Sequence, residues 1–251
     1  MGFRQLVGLA ATTLATAVFI GQGSADESKQ PKGVIELFTS QGCSSCPPAD
    51  AVFGEMADKG DVVALAYHVN YWDYLGWRDT LASPENTARQ NEYMRAFGSG
   101  SVYTPQAVIN GRTHVNGSNR LAIEDALAKS GGLPVGVSVK RAGDSMVIEV
   151  GESSGATTQK AHVLLVYYGL ATPVAIRDGE NQGRTLYYWN PVTGIQTAGM
   201  WHGAVARFEM PVSEIAKKGT GGCAVLLQAV SRDGAPGPIL GAATIPHPVN
   251  H

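Results

Sequence analysis

An α/β domain followed by a mainly antiparallel, sandwich-like β region is predicted by three observations on this 251-residue chain. Short unbroken apolar runs alternate with helical apolar spacings as far as residue 130. An Asn110-Gly111 pair between two β-rich runs gives a hairpin inside that first part. From Leu133 onward the texture changes to short strands separated by Gly, Pro and Asp turns.

Taken in order, Val34 to Phe38 is an apolar run interrupted by Glu36, short enough for a strand buried on both faces. Pro47 and Pro48 fit only the first turn of a helix; Ala49, Val52, Phe53 and Met56 then share one face until Gly60. Val62 to Val69 reads as a central strand. Ser83 as N-cap and Pro84 at the first helical position open a helix that reaches Phe97 before Gly98. Ala107 to Ile109 and Arg112 to Val115 flank the hairpin turn, and Asn119 to Ser130 is helical up to Gly131-Gly132. The order is β-α-β-α-β-β-α over residues 33–132. Strands at Val135–Val139, Met146–Val150, His162–Tyr168, Arg184–Trp189, Ala204–Met210, Cys223–Val230 and Ile239–Ala243 make up a second region, 133–251.

Arg4, the uncharged run Leu6 to Ile20 and the small residues up to Ala25 have the order of a secretory leader, so residues 1–25 are expected to be a signal peptide and 26–32 a polar lead-in. The expected location is periplasmic or secreted. No later stretch offers the roughly 18 apolar residues of a membrane-spanning helix. A net charge of −2 without Lys/Arg runs argues against nucleic acid as a partner. Three cysteines suit a stapled scaffold poorly, since staples come in even numbers and at wider spacing.

Two of the three stand at C-x-x-C spacing, Cys43 and Cys46, where a strand gives way to a helix. A helix N-terminus offers unpaired N–H groups and the positive end of the dipole, which favour a thiolate. Cys43 is expected to point outward as the nucleophile, with Cys46 behind it as the resolving thiol.

This arrangement resembles the thioredoxin superfamily, and the resemblance extends to Thr104-Pro105, which stands where that family keeps a cis-proline before a core strand. The match is closer to a group of exported bacterial thioredoxin-like proteins catalogued as a domain of unknown function, through Glu36–Asp50, His68–Asp73 with Gly76-Trp77, and Ser101–Gln106. It implies a thioredoxin-like domain over 33–132, with Thr104 and Pro105 facing a substrate peptide. It also implies an exported thiol–disulfide oxidoreductase acting on protein thiols or disulfides, with no metal or organic cofactor. A non-catalytic module with a resting disulfide and a copper(I)-handling protein using the same cysteines are the alternatives.

Other residues carry two readings each. Glu36, seven residues before Cys43, is either a proton relay or a structural carboxylate; His68 and His114 are core or surface histidines or metal ligands. Tyr71 to Trp77 either lines a substrate groove or packs over an insertion, and Cys223 is a buried small hydrophobe or a third working thiol. Arg184 and Asn190 suggest no role.

Overall fold

The computed structural model describes Gly2 and residues 30–153, 160–218, 220–231 and 234–246. Apart from Gly2, the expected signal peptide lies outside the described residues, as do residues 26–29 of the lead-in. Seven elements follow in the expected order: β1 (Val34–Thr39), α1 (Pro47–Lys59), β2 (Val63–His68), α2 (Pro84–Ala96), β3 (Gln106–Ile109), β4 (Thr113–Asn116) and α3 (Arg120–Lys129). They form a four-stranded sheet in the order β2-β1-β3-β4, with β2 parallel to β1 and the others antiparallel. Local chemistry sets their ends: Ser83 accepts from the Asn86 amide, Asn119 from the Ala122 amide, and Gly60 closes α1 in a left-handed conformation.

The second half adds β5 (Val137–Ala142), β6 (Ser145–Val150), β7 (Ala161–Tyr168), β8 (Thr172–Ala175), β9 (Thr185–Tyr188), β10 (Val192–Trp201), β11 (Ala206–Pro211), α4 (Val212–Lys218), β12 (Gly222–Val230) and β13 (Pro236–Pro246). Three antiparallel sheets result: β10-β7-β12-β13, β11-β6-β5, and the separate hairpin β8-β9. The whole is a mixed α/β fold with a β-rich second half. Three of these elements differ from the sequence expectation. Pro173 breaks the apolar signal of β8, β10 is a Gly-containing edge strand whose two register shifts spoil its alternation, and α4 has only seven residues.

The sheet β10-β7-β12-β13 is the middle layer, which explains the unbroken apolar runs of β7 and β12. Val163, Leu165, Val225 and Leu227 face the β11-β6-β5 sheet and α4, while Leu164, Val166, Ala224 and Leu226 face the first sheet. The first sheet alternates likewise. Val34 and Phe38 meet the middle layer, and Ile35 and Leu37 meet α1 and α3. The two halves of the chain thus share the apolar layer between the first sheet and the middle one. The Asn110-Gly111 turn sits at their seam, where Asn110 Oδ1 accepts from the Val34 amide and the Asn110 carbonyl accepts from the Ile239 amide. Gly111 has φ 61° there, and a Cβ on it would stand 2.6 Å from the Gly237 carbonyl oxygen.

Glu36 lies on the face shared with the middle layer and is fully buried. Arg89 Nε donates to its Oε1 (2.7 Å) and Tyr93 Oη to its Oε2. Arg89 Nη2 also donates to Gln228 Oε1 on β12 (3.0 Å), and Gln228 Nε2 donates to Tyr93 Oη (2.8 Å) and the Gly237 carbonyl (3.0 Å). The relay reading of Glu36 is therefore corrected. Strand alternation turns it away from α1 and the cysteines, and its charge is met by Arg89. Among the described residues no helix is long and apolar enough to cross a membrane.

Removing one partner of such a pair leaves the other charge buried, so Arg89→Leu is expected to cost about 3–5 kcal/mol in denaturant unfolding. The double variant Glu36→Leu, Arg89→Leu is expected to be more stable than Arg89→Leu alone, because no charge is then stranded.

Candidate functional site

Between β1 and α1 the chain makes two tight turns, with the Cys43 amide bonded to the Ser40 carbonyl and the Cys46 amide to the Cys43 carbonyl. The second turn brings the cysteine Cα atoms to 5.4 Å, and Cys43 and Cys46 are joined by a disulfide. Cys46 is the N-cap of α1, with prolines at the first two helical positions. Those prolines have no N–H, and the Ala49 and Asp50 amides both bond to the Cys46 carbonyl. The helix end keeps its dipole but has lost the free N–H donors on which the sequence argument relied. The neighbour that remains to a Cys43 sulfur is the Ser45 hydroxyl, at 3.4 Å.

Cys43 does not point outward. It is 1% exposed and Cys46 0%, although Ser44 and Ser45 between them are exposed. The second half of the chain reaches this turn through the β8–β9 excursion. Asn181, itself 1% exposed, donates from Nδ2 to the carbonyl oxygens of Gln41 (2.9 Å) and Cys43 (3.0 Å). Arg184 Nη1 donates to Asn181 Oδ1 (3.0 Å) and fixes the carboxamide. Asn190 has a role too. Its Nδ2 donates to the Ala64 carbonyl and its own carbonyl accepts from the Ala66 amide, tying the excursion to the free edge of β2.

The aromatic segment also lines the cysteine turn. Trp72 packs on Gly42, where a Cβ would stand 3.1 Å from that of Trp72, and its Nε1 donates to Thr104 Oγ1 (2.8 Å). The Thr104-Pro105 peptide is cis and Pro105 is buried. Trp77 Nε1 donates to Gln41 Oε1 (2.9 Å), whereas Tyr74 is largely exposed. Cys43, Cys46, Thr104 and Pro105 are thus brought into one neighbourhood through Trp72. His114 is engaged elsewhere, with Tyr103 Oη 2.9 Å from its Nδ1. Cys223 lies in the other core, where burial pushes its thiol up to about 12.

Behind the disulfide is a buried polar cluster that the sequence reading did not anticipate. Asp50, one helical turn beyond Cys46, is held by Thr39, whose hydroxyl donates to Asp50 Oδ1 (2.8 Å). Thr39 pairs in register with His68, whose ring meets Tyr188 edge-on at 4.6 Å and whose Nδ1 lies 2.8 Å from Asp79 Oδ2. Asp79 also accepts from the Gln41 and Leu81 amides. Burial works against charge on His68, but Asp79 and then Asp50 outweigh it and raise its pKa; burial likewise opposes charge on Asp79, and His68 outweighs it and lowers the carboxyl. Burial pushes Asp50 up to about 7, with His68 and Thr39 pulling the other way. Asp50 Oδ2, His68 Nε2 and Tyr188 Oη have no hydrogen-bond partner among the described residues. The signal in the sequence was the Asp four residues after the second Cys, a position on the same helix face.

A carboxyl whose pKa rises from 3.8 to about 7 on folding binds its proton more tightly in the native state, so stability falls as pH rises between those values. Asp50→Asn removes the ionisation and keeps an acceptor for Thr39. The variant is expected to match the parent near pH 4 and to exceed it by as much as about 4 kcal/mol above pH 7, read from urea unfolding across pH. A constant difference at every pH contradicts the assignment.

Comparison with known proteins gives a family and a fold. A crystal structure of a protein from Agrobacterium tumefaciens is 44% identical, with a TM-score of 0.78 over 89% of this chain and 97% of that one. HBP35 of Porphyromonas gingivalis is 14% identical, with a TM-score of 0.56 over 89% of this chain and 79% of that one, a likeness of fold alone. No curated protein matches significantly. Residues 34–228 match the family model described as Protein of unknown function (DUF1223), and the chain belongs to that family.

Proposed function

We propose that this protein is an exported thiol–disulfide oxidoreductase built on a thioredoxin-like domain, with Cys43 and Cys46 as its working pair and protein thiols as its substrates. The carrying observation is the pairing of a disulfide at the start of α1 with a buried carboxyl, Asp50, poised near neutrality one turn behind it. Thiol–disulfide exchange needs a sulfur that can be attacked, a leaving sulfur and a place for the proton. A substrate thiolate attacks Cys43 Sγ, the bond to Cys46 breaks, and Cys46 leaves as a thiolate that takes a proton from Asp50. A second substrate thiolate then attacks the mixed disulfide and releases Cys43. Two substrate thiols are oxidised to one disulfide, and the protein disulfide is reduced to a dithiol.

Burial of Asp50 serves this scheme in a specific way. Negative charge on the carboxylate opposes a second negative charge on Cys46, so the acid gives up its proton as the thiolate forms. Thr104, half-buried and followed by the buried Pro105, supplies the surface on the Trp72 side of the cysteine turn on which a substrate segment would lie.

The enclosure of both sulfurs favours a second reading, a resting disulfide that holds the β1–α1 turn in a binding module. The two readings part in the cell. The same exchange run in reverse has the Cys43 thiolate attack a partner disulfide and Cys46 resolve the product, so with Cys46→Ser the exchange reading expects oxidised partner proteins trapped as mixed disulfides through Cys43, and none with the double serine variant. An untrapped Cys46→Ser protein in its native compartment contradicts it and favours the module.

A further inference from the structure

The excursion that reaches the cysteine turn through Asn181 stands apart from the larger sheets. Among the described residues β8 and β9 pair only with one another, outside the two larger sheets of the second half, and an isolated two-stranded hairpin gains little stability of its own. The loop between them, residues 176–184, is held as a unit by the Ile176 amide to the Arg184 carbonyl, the Gly183 amide to the Ile176 carbonyl and the Gln182 amide to the Gly179 carbonyl. Within that loop only Ile176 and Asn181 are buried. Gly179 rests against Trp77, where a Cβ would lie 3.1 Å from the Trp77 Cβ. The side-chain tie from the loop to the cysteine turn is the Asn181 carboxamide, giving both its N–H bonds to the Gln41 and Cys43 carbonyls.

We propose that residues 176–184 form a gate over the Cys43–Cys46 disulfide, latched by Asn181, which an extended cysteine-bearing peptide segment opens by replacing the latch. This rests on the exchange reading for what passes the gate, but the gate itself does not. Sulfur attack needs approach along the S–S axis, and a disulfide this enclosed offers none to a folded surface or a simple thiol while the latch holds. What the latch supplies to the two carbonyls is an N–H donor. A peptide brings such donors in its own backbone, whereas a simple thiol has none. Arg184 is a positioning residue here, since it holds the carboxamide oxygen and so directs Nδ2 at the carbonyls. Asn181 is likewise a positioning residue that acts through access.

The test is the rate at which the oxidised full chain is reduced by 2-mercaptoethanol and by a blocked, unstructured pentapeptide with a central cysteine, under conditions where both thiols are equally ionised. Asn181→Ala removes the latch; Asn181→Asp keeps its size but turns an oxygen toward two carbonyl oxygens. Loss of two ordinary hydrogen bonds is expected to speed reduction by 2-mercaptoethanol about tenfold in both variants. The peptide rate is expected to rise less, so that the parent's preference for peptide shrinks. Cys223, fully buried in the other core, reports whether the effect is local: its alkylation stays slow if only the gate opens and rises in step if the whole protein unfolds. Unchanged reduction in both variants, or acceleration matched by Cys223 alkylation, overturns the gate. Because these rates need no turnover, an open gate without trapped substrates would sink the exchange reading and leave the gate standing.

Discussion

A carboxylate with no access to water cannot stay charged alone, and Glu36 in the seam between two sheets is the constraint on which the rest of this architecture hangs. Its needs are met from two directions. Arg89 and Tyr93 come from α2, and Gln228 comes from β12 and closes the ring by bonding to both of them. The guanidinium also lies over the Tyr67 and Tyr93 rings, 5.4 Å and 5.0 Å from their centroids. Apolar packing sets two faces together without choosing an exact offset. A four-residue polar network is satisfied in only one relative position, so it can fix the register of the layers.

That register has consequences at the cysteines. With the middle sheet fixed on the first, the chain between β7 and β10 is carried past the β2 edge and across the start of α1. Tyr188 then meets His68, Trp189 packs where Gly54 leaves room, and Asn181 reaches the cysteine turn. A side wall of the disulfide site is thus furnished by residues about 140 positions downstream. Tyr188 on the same wall stands close enough to Asp50 for the two to interact, and burial raises the Asp50 pKa.

The first half was legible because its signals are local. Apolar runs gave β1 and β2, Ser83-Pro84 and Asn119 gave helix starts, and Asn110-Gly111 gave the hairpin, each by chemistry within a few residues. The Cys43 and Cys46 pair was equally plain, whereas Cys223 stood open between a buried small hydrophobe and a third working thiol. What could not be read was everything that depends on residues distant in sequence. Arg184 and Asn190 looked idle because their partners lie in other segments, and Glu36 was set beside the cysteines by spacing when strand alternation sends it to the other face. The outward Cys43 failed for the same reason, because the turn that carries it is bonded to Asn181 far along the chain. The two prolines were visible but were read as helix starters alone, although their missing N–H groups also strip donors from the thiolate.

The central claim is that the Cys43–Cys46 bond is there to be broken and remade in a folded protein. Its direct measure is the reduction potential, from equilibration in glutathione buffers with the dithiol quantified by alkylation. A working pair gives a reversible two-electron titration with a potential above about −300 mV, the reduced protein remaining folded with Cys223 unreactive. A potential below that value, or unfolding as the disulfide opens, would make the bond structural and contradict the account.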